Sequence, residues 1–358
     1  MTNPSIERLE VENYGCIRKG SFRLTPLHAL IGPNDSGKST VLRALRTAAQ
    51  LGAEQFRVSD DGAWSPFDPT LGLTPNTRIG FHVADELVYA IRATEDGLEE
   101  AVYVDGKGIA ETQTRSWNRR GLLAVKDASP SIEKLRKRFT VATLVRFDPD
   151  HLRVPVELIP EREKIAFADE RGTGLASVFD AIINRDFEAF SQIQAGVRTL
   201  FPSVAKLGLI NVSSSHKEIA VTLADGTRVG AQGMSEGLLY YLAFAALRHI
   251  QGSRLYLVEE PENGLHPARI AEVMGVLREI SRTNQVVVAT HSPLVVNELR
   301  GNEISVVTRD PSTGTRAVLL EDVPGFDEAS AIYQPGEFWV SYADGKSEEP
   351  LLTGKPRP

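Results

Sequence analysis

One cysteine in 358 residues leaves Cys16 without an internal disulfide partner, which excludes a disulfide scaffold and cysteine-ligated zinc. Long apolar runs are missing too. The longest, residues 238–247, falls well short of the roughly 20 residues that a membrane helix needs. Glu7, Glu10 and Glu12 interrupt the stretch where a secretory signal would carry its apolar core. Positive charge is not in excess: 40 Lys and Arg stand against 47 Asp and Glu, a formal net charge of −7. That balance argues against a wholly basic nucleic-acid coat and leaves room for a local basic groove. There is no internal repeat and no heptad array. These absences predict a cytoplasmic protein that makes no membrane contact. What is present is ordinary for a folded chain, 42% hydrophobic and 24% charged residues, at a length that predicts two domains or one large domain with insertions.

Near the start, residues 6–11 alternate apolar and charged positions, 21–24 offer a second short strand, and 27–31 read as a buried strand. A glycine-rich loop and a helix over 41–50 follow. From about 55 to 148 the pattern becomes short alternating segments (77–83, 87–91, 101–104) separated by Gly, Asp and Pro, which predicts antiparallel β structure. Basic residues at 115–120 and 134–138 read first as a solvated helix face. Between 174 and 200, Phe179, Ile183, Phe187, Phe190, Ile193, Val197 and Leu200 recur three or four apart and predict one amphipathic helix ended by Pro202. Strands are expected at 205–212 and 217–223 before the Asp225-Gly226 turn. The last third then alternates strands (255–258, 285–289, 304–307) with helices, the pattern of a parallel sheet. Beyond Asp322 the chain turns acidic and Pro/Gly-punctuated, and 345–358 reads as a disordered tail.

Four groups of residues carry chemistry. Gly32-Pro33-Asn34-Asp35-Ser36-Gly37-Lys38-Ser39-Thr40 matches G-x-x-x-x-G-K-[ST] between a strand and a helix. Such a loop aims backbone N–H groups at phosphates, and the helix adds its positive end. Lys38 would neutralise the β and γ phosphates, and Ser39 would offer its hydroxyl to Mg²⁺. The second group is an apolar strand ending in Glu259 and Glu260: Glu259 suits the metal shell, usually through water, and Glu260 suits proton acceptance from an attacking water. A solvated strand end is the competing reading. The third is His291, at the end of another apolar strand in the same expected sheet, where ligands of open α/β sheets bind; a structural histidine is the alternative. The fourth is Ser235-Glu236-Gly237 at the start of a helix, where Ser235 could equally be an N-cap and nothing more.

In order and spacing these pieces resemble the ATP-binding-cassette class of P-loop ATPases in its soluble SMC/RecF-like branch, and especially the AAA-type ATPases related to the OLD proteins. The resemblance covers residues up to about 50 and from about 230 to 307. It makes the Gly32 loop Walker A, Ser235-Glu236-Gly237 the signature, the strand ending at Glu260 Walker B, residues 262–267 the D-loop, and His291 the switch histidine. Two departures stand out: Glu259 replaces the usual aspartate, and Leu238 stands where a transporter signature has glutamine. Tyr14 is the aromatic on offer for adenine stacking.

The fold implied is α/β, a P-loop NTPase of ABC/SMC-like type with a mixed, mostly parallel sheet flanked by helices, an N-terminal antiparallel β region and an inserted β/helical arm. Its divisions would be 1–54 with the P-loop, 55–228 as the inserted arm, 229–325 with signature, Walker B and switch histidine, and 326–358 as a tail. The function implied is an ATP- and Mg²⁺-dependent hydrolase that forms a homodimer around ATP and acts on DNA or on a nuclease or other effector partner, in genome maintenance or phage defence. A transporter's nucleotide-binding subunit and a non-hydrolysing nucleotide-sensing scaffold are the alternatives. Arg119, Arg120, Lys134, Arg136, Lys137 and Arg138 are the sequence support for nucleic acid. Residues 41–234 are too few for a long coiled coil, and 292–358 leave little room for a nuclease domain.

Overall fold

The computed structural model describes residues 6–53, 73–74, 76–83, 87–94, 97–104, 109–115, 123, 130–139, 142–310, 314–345 and 348–353. In chain order the first elements are β1 (Ile6–Tyr14), β2 (Ile17–Arg23), β3 (Leu27–Ile31), α1 (Lys38–Ala53), β4 (Arg78–Val83), β5 (Leu87–Ala93), β6 (Leu98–Tyr103), β7 (Ile109–Arg115), α2 (Pro130–Phe139) and β8 (Ala142–Val145). Then come α3 (Pro149–Leu152), α4 (Leu175–Arg185), α5 (Phe187–Leu200), β9 (Val204–Asn211), β10 (Lys217–Leu223), β11 (Arg228–Gly230) and α6 (Glu236–Leu247). The chain continues through β12 (Leu255–Glu259), α7 (Ile270–Ser281), β13 (Gln285–Ala289), α8 (Pro293–Asn297), β14 (Ile304–Asp310), β15 (Gly314–Leu319), α9 (Phe326–Ser330), α10 (Pro335–Tyr342) and α11 (Glu349–Thr353). No helix among the described residues is long and apolar enough to cross a membrane.

Chain contacts divide the protein into two compact units, one of residues 1–144, 253–260 and 281–358, the other of 145–252 and 261–280. The first unit holds two six-stranded sheets. One is antiparallel, in the order β2-β1-β4-β5-β6-β7, so the segments expected as part of a separate insertion extend the N-terminal hairpin. Strand β5 alternates buried and half-buried positions without a break, as a sheet with one core face requires. That core face carries Leu9, Val11, Phe81, Tyr89 and Ile91, in one apolar cluster with Leu42, Leu45 and Ala49 of α1.

The other sheet runs β15-β14-β3-β13-β12-β8. Within it β14, β3, β13 and β12 are parallel, and β15 pairs antiparallel with β14. All five residues of β3 and of β13 are buried, which is why these strands read as mostly apolar runs, broken only by His28 and Gln285. The architecture is thus the expected α/β P-loop type, a mixed and mostly parallel sheet flanked by helices, beside an antiparallel N-terminal sheet.

The second unit holds the antiparallel sheet β11-β10-β9, with α4 packed on β10 and α5 on β9. Two expectations fail. The single helix expected over 174–200 is two, because Asp186 leaves helical geometry (φ −151°, ψ 74°) and turns its carboxylate to accept the Ala189 N–H as the N-cap of α5. Phe187, counted toward the apolar stripe, is 66% exposed as a result. The C-terminal stretch is also not a tail. Phe338, Trp339 and Leu351 are buried, so α10 and α11 have a core to join; residues 354–358 lie outside the described set.

Candidate functional site

The phosphate loop is shaped by steric necessity. At Gly32 φ is +139°, and a Cβ there would fall 2.1 Å from the Val307 carbonyl oxygen on the neighbouring strand β14, so only glycine fits. Gly37, at φ +106°, faces the Thr315 hydroxyl and the Cys16 thiol at 3.1 and 3.2 Å from where a Cβ would lie. Between them Asp35 takes φ +64°, and its carboxylate pairs with Arg309 at 3.2 Å. The Lys38 ammonium is buried under the loop and donates to the Gly32 and Pro33 carbonyls at 2.9 and 2.8 Å. Thr315 donates to the Ser36 carbonyl at 3.2 Å, and the Val41 N–H to Gly37 O at 3.0 Å begins the ladder of α1.

Parallel pairing brings the other groups to the same edge. Register sets Glu259 beside Ala289 and Ala289 beside Leu30, so β12, β13 and β3 end level with one another. The ladder then runs one step further: Glu260 N–H donates to Ala289 O at 2.8 Å, and Thr290 N–H to Leu30 O at 3.1 Å. Glu260 adopts φ +47°, a left-handed conformation in which the chain leaves the strand direction at the carboxylate. A cavity of about 270 Å³ is lined by Asn34, Asp35, Gly37, Lys38, Ser39 and Thr40 of the loop and by Glu259, Glu260 and His291 of the strand ends. Burial holds the His291 imidazole below its ordinary pKa; the Lys38 charge adds to this and Glu260 opposes it. The ring is therefore neutral near pH 7.

A divalent cation suits this donor set. The Ser39 hydroxyl and the Glu259 carboxylate are hard oxygen donors lining one cavity.

Ser235, Glu236 and Gly237 lie in the second unit and are not among the residues that line this cavity. Ser235 occupies the N-cap position of α6, yet its side chain makes no cap hydrogen bond, so the simple capping role does not hold. Its exposed helix end is held from behind: Arg153 donates to the Ala231 and Met234 carbonyls, both at 3.3 Å. In the D-loop segment, Leu265 N–H donates to Glu262 O at 3.1 Å. Tyr14 is corrected: its ring is buried, with the hydroxyl 2.9 Å from that of Thr47 on α1, and cannot stack on a base. Of the basic cluster, Arg136 is spent on Glu133 and on the Leu123 carbonyl, whereas Arg119 and Arg120 and the side chains of Lys137 and Arg138 lie outside the described residues. Sequence reading missed Cys16, Arg309 and Thr315. All three reach the loop through the fold, and no local motif marks them.

The chain is similar to known proteins in both sequence and fold. Residues 107–297 match the family described as "AAA domain, putative AbiEii toxin, Type IV TA system", and residues 5–106 match an AAA ATPase domain. A 127-residue stretch, 35% of the chain, is 31% identical to UvrABC system protein A of Brucella abortus, and a 112-residue stretch, 28% of the chain, is 45% identical to the OLD nuclease of Thermus scotoductus. The matched segments span 12% and 20% of those two proteins. In three dimensions the chain is similar to an Smc head bound to the C-terminal winged-helix domain of ScpA, with a TM-score of 0.58, 17% identity, and coverage of 88% of this chain and 99% of that one. It is similar too to a Pyrococcus furiosus Smc head with an extended coiled coil, with a TM-score of 0.56, 16% identity, and coverage of 92% and 99%.

Proposed function

Because this chain belongs to the AAA-domain family matched over residues 107–297 and has the fold of an ABC/SMC/OLD-like P-loop ATPase, we propose that it is an ATP-dependent molecular switch that hydrolyses ATP with Mg²⁺. The observation that carries the reading is the meeting of Lys38, Ser39, Glu259, Glu260 and His291 in one cavity at the ends of parallel strands.

In this reading the loop N–H groups and Lys38 take the β and γ phosphates, with Lys38 exchanging its carbonyl partners for phosphate oxygens. Ser39 and Glu259 would hold the cation. When bound, such a cation would supply positive charge to offset that of the phosphates. Glu260 accepts the proton of the water that attacks in line, and neutral His291 donates a hydrogen bond to the γ-phosphate. The exposed N-terminus of α6, with the Ser235 hydroxyl free of any cap bond, suits phosphate as well. A second copy presenting it would complete the site, so ATP would be part of a homodimer interface. The target proposed is DNA, or a nuclease or other effector working on it. The likeness to an OLD nuclease supports that choice.

Steady-state ATP hydrolysis across a range of protein concentrations, with and without duplex DNA and with Glu260→Gln as the blank, tests the proposal. Specific activity rising with both variables supports a dimer working on nucleic acid. Turnover equal to the blank under every condition refutes the hydrolase reading.

A further inference from the structure

His291 is followed at once by α8, a helix of five residues, too short to hold itself in water. Upstream the histidine is secured by the ladder: Thr290 is buried, its N–H is bonded to β3, and its hydroxyl accepts the Ser292 N–H at 2.9 Å. Downstream the hold comes from the C-terminal helix. The Gly336 N–H of α10 donates to Asn297 Oδ1 at 2.8 Å, closing the far end of α8. A Cβ at Gly336 would lie 2.2 Å from the Pro293 carbonyl oxygen and 2.6 Å from Asn297 Oδ1, so the backbone of α10 rests directly on both ends of α8. Trp339 and Val340 of α10 share a second cavity, about 410 Å³, with Pro33, Asn34 and His291. α10 is itself anchored: the Phe338 ring is buried with its centroid 5.4 Å from that of Phe326, and Gln334 N–H donates to Glu337 at 2.9 Å in a capping box.

We infer that α10 clamps the segment that carries His291, and that Asn297 and Gly336 are positioning residues for this histidine; the consequence for turnover rests on the nucleotide-site reading above. A γ-phosphate contact needs the imidazole placed to a fraction of an ångström, and a five-residue helix released from α10 would not keep it there. The C-terminal helices are then part of the hydrolytic machinery by support and not by contact.

The test compares wild type with Asn297→Leu, which removes the acceptor, Gly336→Ala, which forces the helices apart, and Asn297→Asp, which keeps an oxygen at the same place. Hydrogen exchange of the peptide covering residues 289–297 reads the clamp directly, and steady-state kinetics read its effect. Both disruptive variants are expected to exchange about tenfold faster over that peptide, with Asn297→Asp near wild type. They are expected to lose about tenfold in kcat with the KM for ATP within about twofold, and Asn297→Asp to keep its rate. Circular dichroism and a nucleotide-binding isotherm identify a variant that has not folded; Asn297→Leu, which inserts no new clash at Gly336, carries the test if Gly336→Ala is such a variant. Unchanged exchange in Asn297→Leu overturns the inference, as does a loss in kcat matched by an equal rise in KM. If no form turns over ATP while exchange responds as expected, the ATPase reading falls and the clamp stands.

Discussion

Glu260 shows how much a single residue is asked to do. Its left-handed backbone costs roughly 1 kcal/mol in an L-residue, and the N–H bond to Ala289 on the adjoining strand helps to hold it there. Glu260→Gln keeps the shape and removes the carboxylate proposed above as the proton acceptor. The variant is expected to bind ATP with wild-type affinity and to hydrolyse it at least about a hundredfold more slowly, by single-turnover phosphate release. His28 gives a separate test at the same scale. It is fully buried in β3, with Nε2 2.9 Å from the Ser305 hydroxyl and Nδ1 3.2 Å from that of Thr25, and burial pushes its pKa down to about 3. As pH falls below 6.5 the unfolded chain takes up a proton that the folded chain refuses. Stability from this group should therefore decline by about 1.4 kcal/mol per pH unit between 6.5 and about 3. Urea unfolding at pH 7 and pH 5 checks this, and His28→Gln should remove that part of the slope. The residues that announced themselves in the sequence are those with a local signature: a glycine loop between strand and helix, and acids closing an apolar strand. Cys16, Arg309 and Thr315 carry no such mark, since each reaches the loop only once distant strands have paired.

At the scale of the element, periodicity was legible wherever a face is buried and misleading where a cap interrupts it. The spacing of Ile183, Phe187 and Phe190 runs through Asp186 as if one helix continued, yet a short acid that can accept the N–H three residues ahead starts a new one. The C-terminal helices were missed for the opposite reason: few apolar residues there, but Phe338, Trp339 and Leu351 all buried. The composition of a segment does not state how well its few large side chains are used. For α6, whose residues from Leu238 to Leu247 are all buried, the apolar run was plain, and the helix starts from the exposed Ser235. Ser235→Arg places bulk and charge at that helix start without touching the core. Turnover is expected to fall to the Glu260→Gln background while binding of a fluorescent ATP analogue to the isolated protomer is retained. Normal hydrolysis by this variant would rule out a site completed by a second copy.

For the whole molecule, the arrangement of the sheets follows from where the chain returns. The parallel strands were legible as buried runs, but their spatial order was not, because β3 sits between strands that come from the far end of the sequence. Leu27 meets Val286 and Ala29 meets Ile304, more than two hundred residues away in each case. This has a consequence for how the protein comes into being. The phosphate loop, residues 32–40, is synthesised early, yet the strand that feeds it has no neighbour on either side until β13 (Gln285–Ala289) has left the ribosome. Until then the five residues of β3, all buried in the finished sheet, are an unpaired, aggregation-prone edge, and closing such distant pairs is intrinsically slow. A nascent or truncated chain that ends before β13 would carry the complete glycine motif and have nothing to build the site against, so that an intact nucleotide pocket itself reports that synthesis has passed β13 and β14.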